Sequence, residues 1–210
     1  MRALSREARD ALLPDLDSIP EERAAALRCR ACPLWRNATQ TVFGDGPARA
    51  KIVIVGEQPG DKEDLAGKPF VGPAGAMLRT AMEEAGLDID TAYVTNAVKH
   101  FKFEARGKRR IHAKPGATEI KACYPWLKKE LELIQPKLVL VLGATAVTAV
   151  LGKAGTIAKL RGRAVALESG ATAVVTTHPS ALLRIPDKLA KAAAYRAFVK
   201  DLKVLKHAVG

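Results

Sequence analysis

The segment Lys51-Ile52-Val53-Ile54-Val55 runs straight into Gly56-Glu57-Gln58-Pro59-Gly60-Asp61, and this junction constrains the fold more than any other stretch. Four consecutive β-branched residues leave no polar face, so the run reads as a strand buried on both sides. The glycines and proline behind it end the strand and shape a loop. In an open α/β sheet the carboxyl ends of the strands are where ligands sit. The loop goes on to Gly67-Lys68-Pro69-Phe70-Val71-Gly72-Pro73-Ala74-Gly75. It sets an acid, an amide, a second acid and an aromatic ring among glycines that let backbone approach a flat ligand. It reads as a site for a base or a similar planar polar molecule.

Further strands and helices alternate along the chain. Ala92-Tyr93-Val94-Thr95 reads as a second strand ending at Asn96, Lys137-Leu138-Val139-Leu140-Val141-Leu142 as a third, and Ala173-Val174-Val175-Thr176-Thr177 as the last. Between them lie a helix carrying Met77, Leu78, Ala81 and Met82 with Gly86 as its stop, and another from Thr118 to about Ile134 with Trp126, Leu127 and Leu131 in one stripe. An Ala-rich helix follows Gly143, and an amphipathic one runs from about Asp187 to His207. The two methionines read as core. The pattern predicts an α/β fold, a central, mainly parallel four-stranded sheet flanked by helices. Residues 1–28 read as a helical extension, two short pieces divided by Pro14 and Pro20, on a single domain covering 1–210. Residues 97–115 read as a long basic loop with interleaved aromatics.

Thirty-four Lys and Arg against 22 Asp and Glu give a net charge of +12 and a pI near 9.8. That suits a nucleic-acid binder, although such a charge also serves solubility alone. The N-terminus lacks the apolar core of a signal peptide and no apolar run is long enough to span a bilayer, so the expected place is the cytoplasm, with no membrane partner. Neither G-x-G-x-x-G nor G-x-x-x-x-G-K-[ST] occurs, which argues against a nucleotide cofactor. G-x-S-x-G is missing as well, so Ser180 has no nucleophile elbow. Cys29-Arg30-Ala31-Cys32 is a C-x2-C step that lets two thiolates reach one metal centre. With a third cysteine, Cys123, and a reducing compartment, metal binding or simple burial is expected rather than a disulfide. Nothing argues against a monomer.

Three loops leave the carboxyl ends of strands, at 56–75, 96–114 and 178–184. The first holds G-E-x-P-G and G-x-P-F-V-G-x-A-G, the second opens with Asn96, and the third begins His178-Pro179-Ser180. In this order and spacing they resemble the uracil-DNA glycosylase superfamily, most closely its iron–sulfur family 4. Lys108-Arg109-Arg110-Ile111-His112, together with Gln58 after Glu57, is similar to the UdgX-type branch. The resemblance implies the superfamily's three-layer fold and a protein that excises uracil from DNA, then stays covalently attached to the abasic sugar.

The residues suit that chemistry. Cleaving the N-glycosidic bond develops positive charge on deoxyribose and negative charge on the base, so an anion and hydrogen-bond donors are needed where water is excluded. Glu57 supplies the anion. Asn96 pairs with the pyrimidine edge, Phe70 stacks on the extruded ring, backbone amides near Gly60 and Asp61 hold its carbonyls, Gln58 binds the substrate from the same loop, and His178 donates to O2. Read singly, Asn96 is also a strand-end turn and Phe70 a core ring. The cationic neighbours Lys108, Arg109 and Arg110 disfavour imidazolium, which leaves His112 a nucleophilic nitrogen to attack C1′ while Glu57 orients its ring. A solvated basic loop on phosphates remains the alternative for this run. From the third loop, Ser180 and Arg184 are expected on DNA, with Leu182 or Leu183 filling the vacated stack. The other reading there is a helix start with Ser180 capping and the leucines packed inward. Single-stranded DNA, which costs least to unstack, is the expected preference.

Family 4 proteins hold a [4Fe-4S] cluster through four cysteines. Cys29, Cys32 and Cys123 match three of these positions, while His100 stands at the fourth. The resemblance therefore implies Cys3His ligation of a structural cluster, with zinc the competing occupant.

Overall fold

The computed structural model describes residues 16–152 and 157–209. The four apolar runs become parallel strands: β1 (Ile52–Gly56) lies between β2 (Tyr93–Asn96) and Leu138–Leu142, and the latter is flanked in turn by Thr172–Thr176. Two further strands, β3 (Phe103–Arg106) and β4 (Arg109–His112), form a separate antiparallel hairpin. The remaining strands are therefore β5 (Leu138–Leu142), β6 (Ala164–Ala166) and β7 (Thr172–Thr176), and the main sheet runs β2-β1-β5-β7-β6. The sheet is mainly parallel as expected. It gains a fifth strand, because β6 pairs antiparallel on the open edge of β7. Its Ala-Val-Ala sequence is too short and too small-sided to signal a strand.

Every residue of β1 and β5 is buried, so the sheet must be covered on both faces. Alternation divides the side chains. Val53, Val55, Val139 and Val141 pack with Trp126, Leu127 and Val147, from α4 (Ala117–Ile134) and α5 (Gly143–Leu151). Ile52, Ile54, Leu138 and Leu140 pack on the opposite face with Leu78 and Met82, from α3 (Pro73–Glu84), and with Phe198 and Leu202, from α8 (Lys188–Val209). Each such fully buried side chain contributes roughly 2 kcal/mol of transfer free energy. Short helices α1 (Ile19–Ala26), α2 (Asp61–Ala66), α6 (Ile157–Leu160) and α7 (Pro179–Leu183) complete the described chain, and none of its helices is long and apolar enough to cross a membrane.

Two expectations change. Pro20 does not divide helical pieces: it sits in the first turn of α1, behind the N-cap Ser18, where its missing N–H costs nothing. The earlier piece and Pro14 lie outside the described residues. The expected basic loop is instead largely the β3–β4 hairpin, turned through Gly107 at φ +59° and Lys108. Its charged strands lack the apolar alternation by which strands are read.

Chain order places the functional end of the sheet. The polypeptide leaves β1 for β2 on one side and later returns to β5 on the other. The carboxyl ends of β1 and β5 therefore flank a topological switch point, where a crevice opens.

Candidate active site

Backbone pairing continues past β1 and β2, with Ala97 N–H donating to Gly56 O and Val98 N–H to Glu57 O, each at 3.0 Å. Asn96 is thereby fixed beside Gly56. A Cβ on Gly56 would run into Asn96 Oδ1 and the Phe70 ring, so glycine is what lets these two side chains close on the end of β1. Asn96 is 2% exposed, and its Oδ1 has no partner among the described residues. Such a buried acceptor is costly unless a ligand satisfies it. Phe70 takes φ +55°, a conformation strained for a bulky residue and of the kind that gathers at ligand sites. Its carbonyl lies where any side chain at Gly75 would go.

The loop that carries Phe70 is closed by Glu63, a residue with no sequence signal. Its carboxylate accepts the N–H of Gly72 at 2.6 Å and of Gly60 at 3.1 Å. The Gly60 amide is thus occupied and does not face a base carbonyl as expected. Beneath Asn96 the buried Lys99 ammonium donates to its backbone carbonyl at 3.0 Å, to Thr95 Oγ1 at 2.6 Å and to Glu130 at 2.5 Å. The site residue therefore stands on a buried ion pair.

His178 lies at the start of α7, its ring centroid 5.9 Å from that of Phe70. Burial, despite the nearby Glu57 carboxylate, pushes its pKa down to about 4, so the ring is neutral at pH 7. Nδ1 accepts the backbone N–H of Ser180 at 3.2 Å and lies 2.8 Å from that residue's hydroxyl. An acceptor at Nδ1 puts the ring proton on Nε2, making that nitrogen a hydrogen-bond donor. Ser180 is therefore spent on fixing this tautomer rather than left for DNA. Leu182 also departs from expectation, being 3% exposed in the core, while Leu183 is exposed at the surface.

The third element is the hairpin. His112 ends β4 opposite Phe103, and its Nε2 lies 3.3 Å from Glu57 Oε1. Two anchors hold it there. Gln58 donates through Nε2 to the carbonyls of Lys102 and Ala113, at 3.2 and 3.0 Å, and accepts Lys102 N–H at 3.1 Å. The amide expected to meet the substrate is used up in clasping both stems. Arg110 reaches Asp61 at 2.5 Å, the fully buried Asp64 at 2.6 Å and Thr39 at 3.1 Å. It is an internal clamp rather than a phosphate contact, and the Asp61 side chain faces it rather than the ligand space. Lys108 and Arg109 remain exposed on the hairpin, lining an open hollow of about 440 Å³ against Asp61 and Leu65. Arg184 is exposed as well, one guanidinium nitrogen 3.3 Å from Ser180 Oγ.

Glu57 joins the parts. Burial pushes its pKa up, but hydrogen bonds from His112 and from Thr145, with the nearby imidazoles, outweigh this and hold it below the ordinary value. Thr145, at the start of α5, donates its hydroxyl to Glu57 Oε2. A threonine in an Ala-rich stretch gave no sign of this.

On the flank, a hollow of about 410 Å³ is lined by Cys29, His100, Trp35 and Thr41 among others. His100 is 4% exposed. Its Nε2 lies 3.0 Å from Thr41 Oγ1, while Nδ1 has no partner among the described residues. Cys29 Sγ accepts Trp126 Nε1–H at 3.3 Å and Cys123 Sγ accepts Lys99 N–H at 3.4 Å, contacts that favour a thiolate. Without a metal, burial pushes the Cys123 thiol up to about 12. Among the described residues no three such side chains converge closely enough to hold an ion. The donor types and the orphaned imidazole nitrogen nevertheless suit a soft metal centre.

A mainly parallel sheet whose switch point gathers an aromatic ring, an amide with an unpartnered acceptor, a neutral imidazole donor and a carboxylate defines an α/β protein with its polar site at the strand ends. The chain belongs to the uracil DNA glycosylase superfamily, whose model matches residues 43–203. It is 38% identical over 171 residues to a type-4 uracil-DNA glycosylase of Thermotoga maritima, covering 81% of this chain and 84% of that protein. It is 33% identical over 180 residues to one of Sulfurisphaera tokodaii, covering 82% and 79%.

Proposed function

We propose that this protein cleaves uracil from DNA, single strands being the easier substrate, and that His112 then bonds to the sugar it leaves behind. The observation that carries the reading is the 3.3 Å approach of His112 Nε2 to Glu57 Oε1, on the residue that follows Gly56, against which Asn96 and the Phe70 ring close. Uracil stacks on Phe70 and pairs through its edge with the Asn96 amide. The C1′–N1 bond breaks with its electron pair going to the base. His178 Nε2–H stabilises the charge growing on O2, and Glu57 stabilises the cationic sugar. A lone pair of the His112 ring then forms the C1′–N bond in the place water would take. The proton on its other nitrogen passes to Glu57 or solvent, and the uracil anion takes one from water. An azole bound at C1′ is a poor leaving group, so the adduct persists and each molecule acts once.

Lys108, Arg109 and Arg184 contact phosphates, and Leu183 rather than Leu182 enters the vacated stack. Cys29, Cys32, His100 and Cys123 are the residues that would hold a [4Fe-4S] cluster, or zinc in its stead, and through it these residues would tie the N-terminal segment to the turn after β2 and to α4. The protein works as a monomer in the cytoplasm.

The test mixes the purified protein with a labelled single-stranded oligonucleotide bearing one uracil, followed by boiling in SDS and a denaturing gel beside His112→Ala. A heat-stable shifted band that vanishes in the variant is expected. Free abasic product without a shift would make this a turnover glycosylase. Untouched DNA would leave a binding or redox protein on the same fold.

A further inference from the structure

The geometry points to Thr145 as a positioning residue for Glu57: it holds Oε2 so that Oε1 alone faces His112 and the ligand space. This rests on the glycosylase reading for its consequences, though not for its structural basis. Thr145 is 2% exposed and donates to Glu57 Oε2, while Oε1 lies 3.3 Å from His112 Nε2. The two carboxylate oxygens are thus divided between two elements, α5 on one side and the hairpin on the other.

Within α5, Thr148 turns its hydroxyl back to Ala144 O at 3.1 Å. Thr145 lies in the first turn, where the residue four earlier, Val141, belongs to β5, and its hydroxyl goes to Glu57. Its placement follows from topology. β1 and β5 pair side by side, Val55 opposite Val141, so the residue after β1 and the first turn after β5 meet at the switch point. Gly143 takes φ +88°, and a Cβ there would come within 3.1 Å of His178 Cβ, so this turn packs close to the base of the His178 side chain as well. One short segment thereby sets the carboxylate and backs the general donor. The charged or titratable groups facing Glu57 are His112 from the hairpin and His178 from the loop before α7. Neither bonds Oε2, so Thr145 is the neutral donor that keeps this oxygen turned away from the ligand.

The experiment compares native protein with Thr145→Val, which keeps the volume and loses the donor, and Thr145→Ser, which keeps the donor. The first readout is the titration of the Glu57 side-chain carboxyl carbon by NMR in free protein, assigned with Glu57→Gln. The second is single-turnover uracil release across pH 5 to 8. In Thr145→Val the Glu57 midpoint moves up and release at the acidic end falls about tenfold, with a smaller loss at pH 8. Thr145→Ser stays close to native in both. An unmoved Glu57 midpoint, or a loss equal at all pH values, overturns the assignment. Should Thr145→Val lose its thermal transition, Thr145→Ala against Thr145→Ser makes the same comparison. If native protein releases no uracil, the glycosylase reading fails, while the carbon titration still decides for or against Thr145.

Discussion

The backbone N–H of Ser180 donates to His178 Nδ1 at 3.2 Å, and this contact decides which ring nitrogen keeps its proton. His178→Ala removes a donor aimed at developing negative charge, so single-turnover uracil release should drop about 10²–10³-fold. With the native pKa at about 4, His178 should add no inflection to the rate profile between pH 5 and 8. Its folded pKa lies below the unfolded value of about 6.5, so the unfolded chain takes up the proton first as pH falls. Stability is complete above that unfolded value and lost as pH drops through about 4, by up to roughly 3 kcal/mol. Urea unfolding at pH 7 and pH 4.5, native against His178→Asn, measures it.

Arg110 and its neighbours on the hairpin should separate by salt. Lys108→Ala and Arg109→Ala each remove an exposed cation, and each should reduce the slope of log K against log salt for single-stranded DNA by about 0.7. Arg110→Ala removes a clamp on Asp61 and Asp64, so it should leave the slope unchanged and make the hairpin more open to trypsin. A slope change equal to that of Arg109→Ala would place Arg110 on phosphate after all.

Asn96 rests on Lys99, which is 1% exposed and paired with the fully buried Glu130. Lys99→Met strands that carboxylate, at a cost of about 3–5 kcal/mol in urea unfolding. Adding Glu130→Met should recover much of it. If the single and double variants lose the same stability, the pair does not govern this core.

Glu22 carries an opposite signature. It is fully buried, both carboxyl oxygens lack partners among the described residues, and burial with the nearby Glu130 charge raises its pKa to about 8. The folded state therefore keeps a proton that the unfolded chain releases near pH 4.5, and stability declines as pH rises from there through about 8. Glu22→Gln should stabilise the protein at pH 8 by on the order of 2 kcal/mol, with the gain vanishing near pH 4.5. Thermal melts across that range test the sign.

The parallel strands were legible because β1 and β5 are unbroken apolar runs, and the gaps after them announced the loops. Asn96 and His178 stood out as candidates by their place after strands, and Phe70 by its glycine-framed loop. The partners that set them did not. Arg110 meets Asp61 and Asp64 across 49 and 46 residues, and Thr145 meets Glu57 across 88. No local pattern carries such pairings, since each arises only when the sheet brings distant loops to one end. Gln58 was expected at the substrate for the same reason: the sequence does not show that the folded hairpin reaches its amide first.

The hairpin pairs with no strand of the main sheet, and His112 stands at its end on polar anchors, Gln58 at the stems and Arg110 along β4. The residues proposed to meet the base stand at the strand ends of the main sheet, whereas the residue proposed to capture the sugar belongs to this appended arm. On the proposed mechanism, whether the product is released or retained would rest on an arm outside the core sheet, held to the first loop by polar contacts.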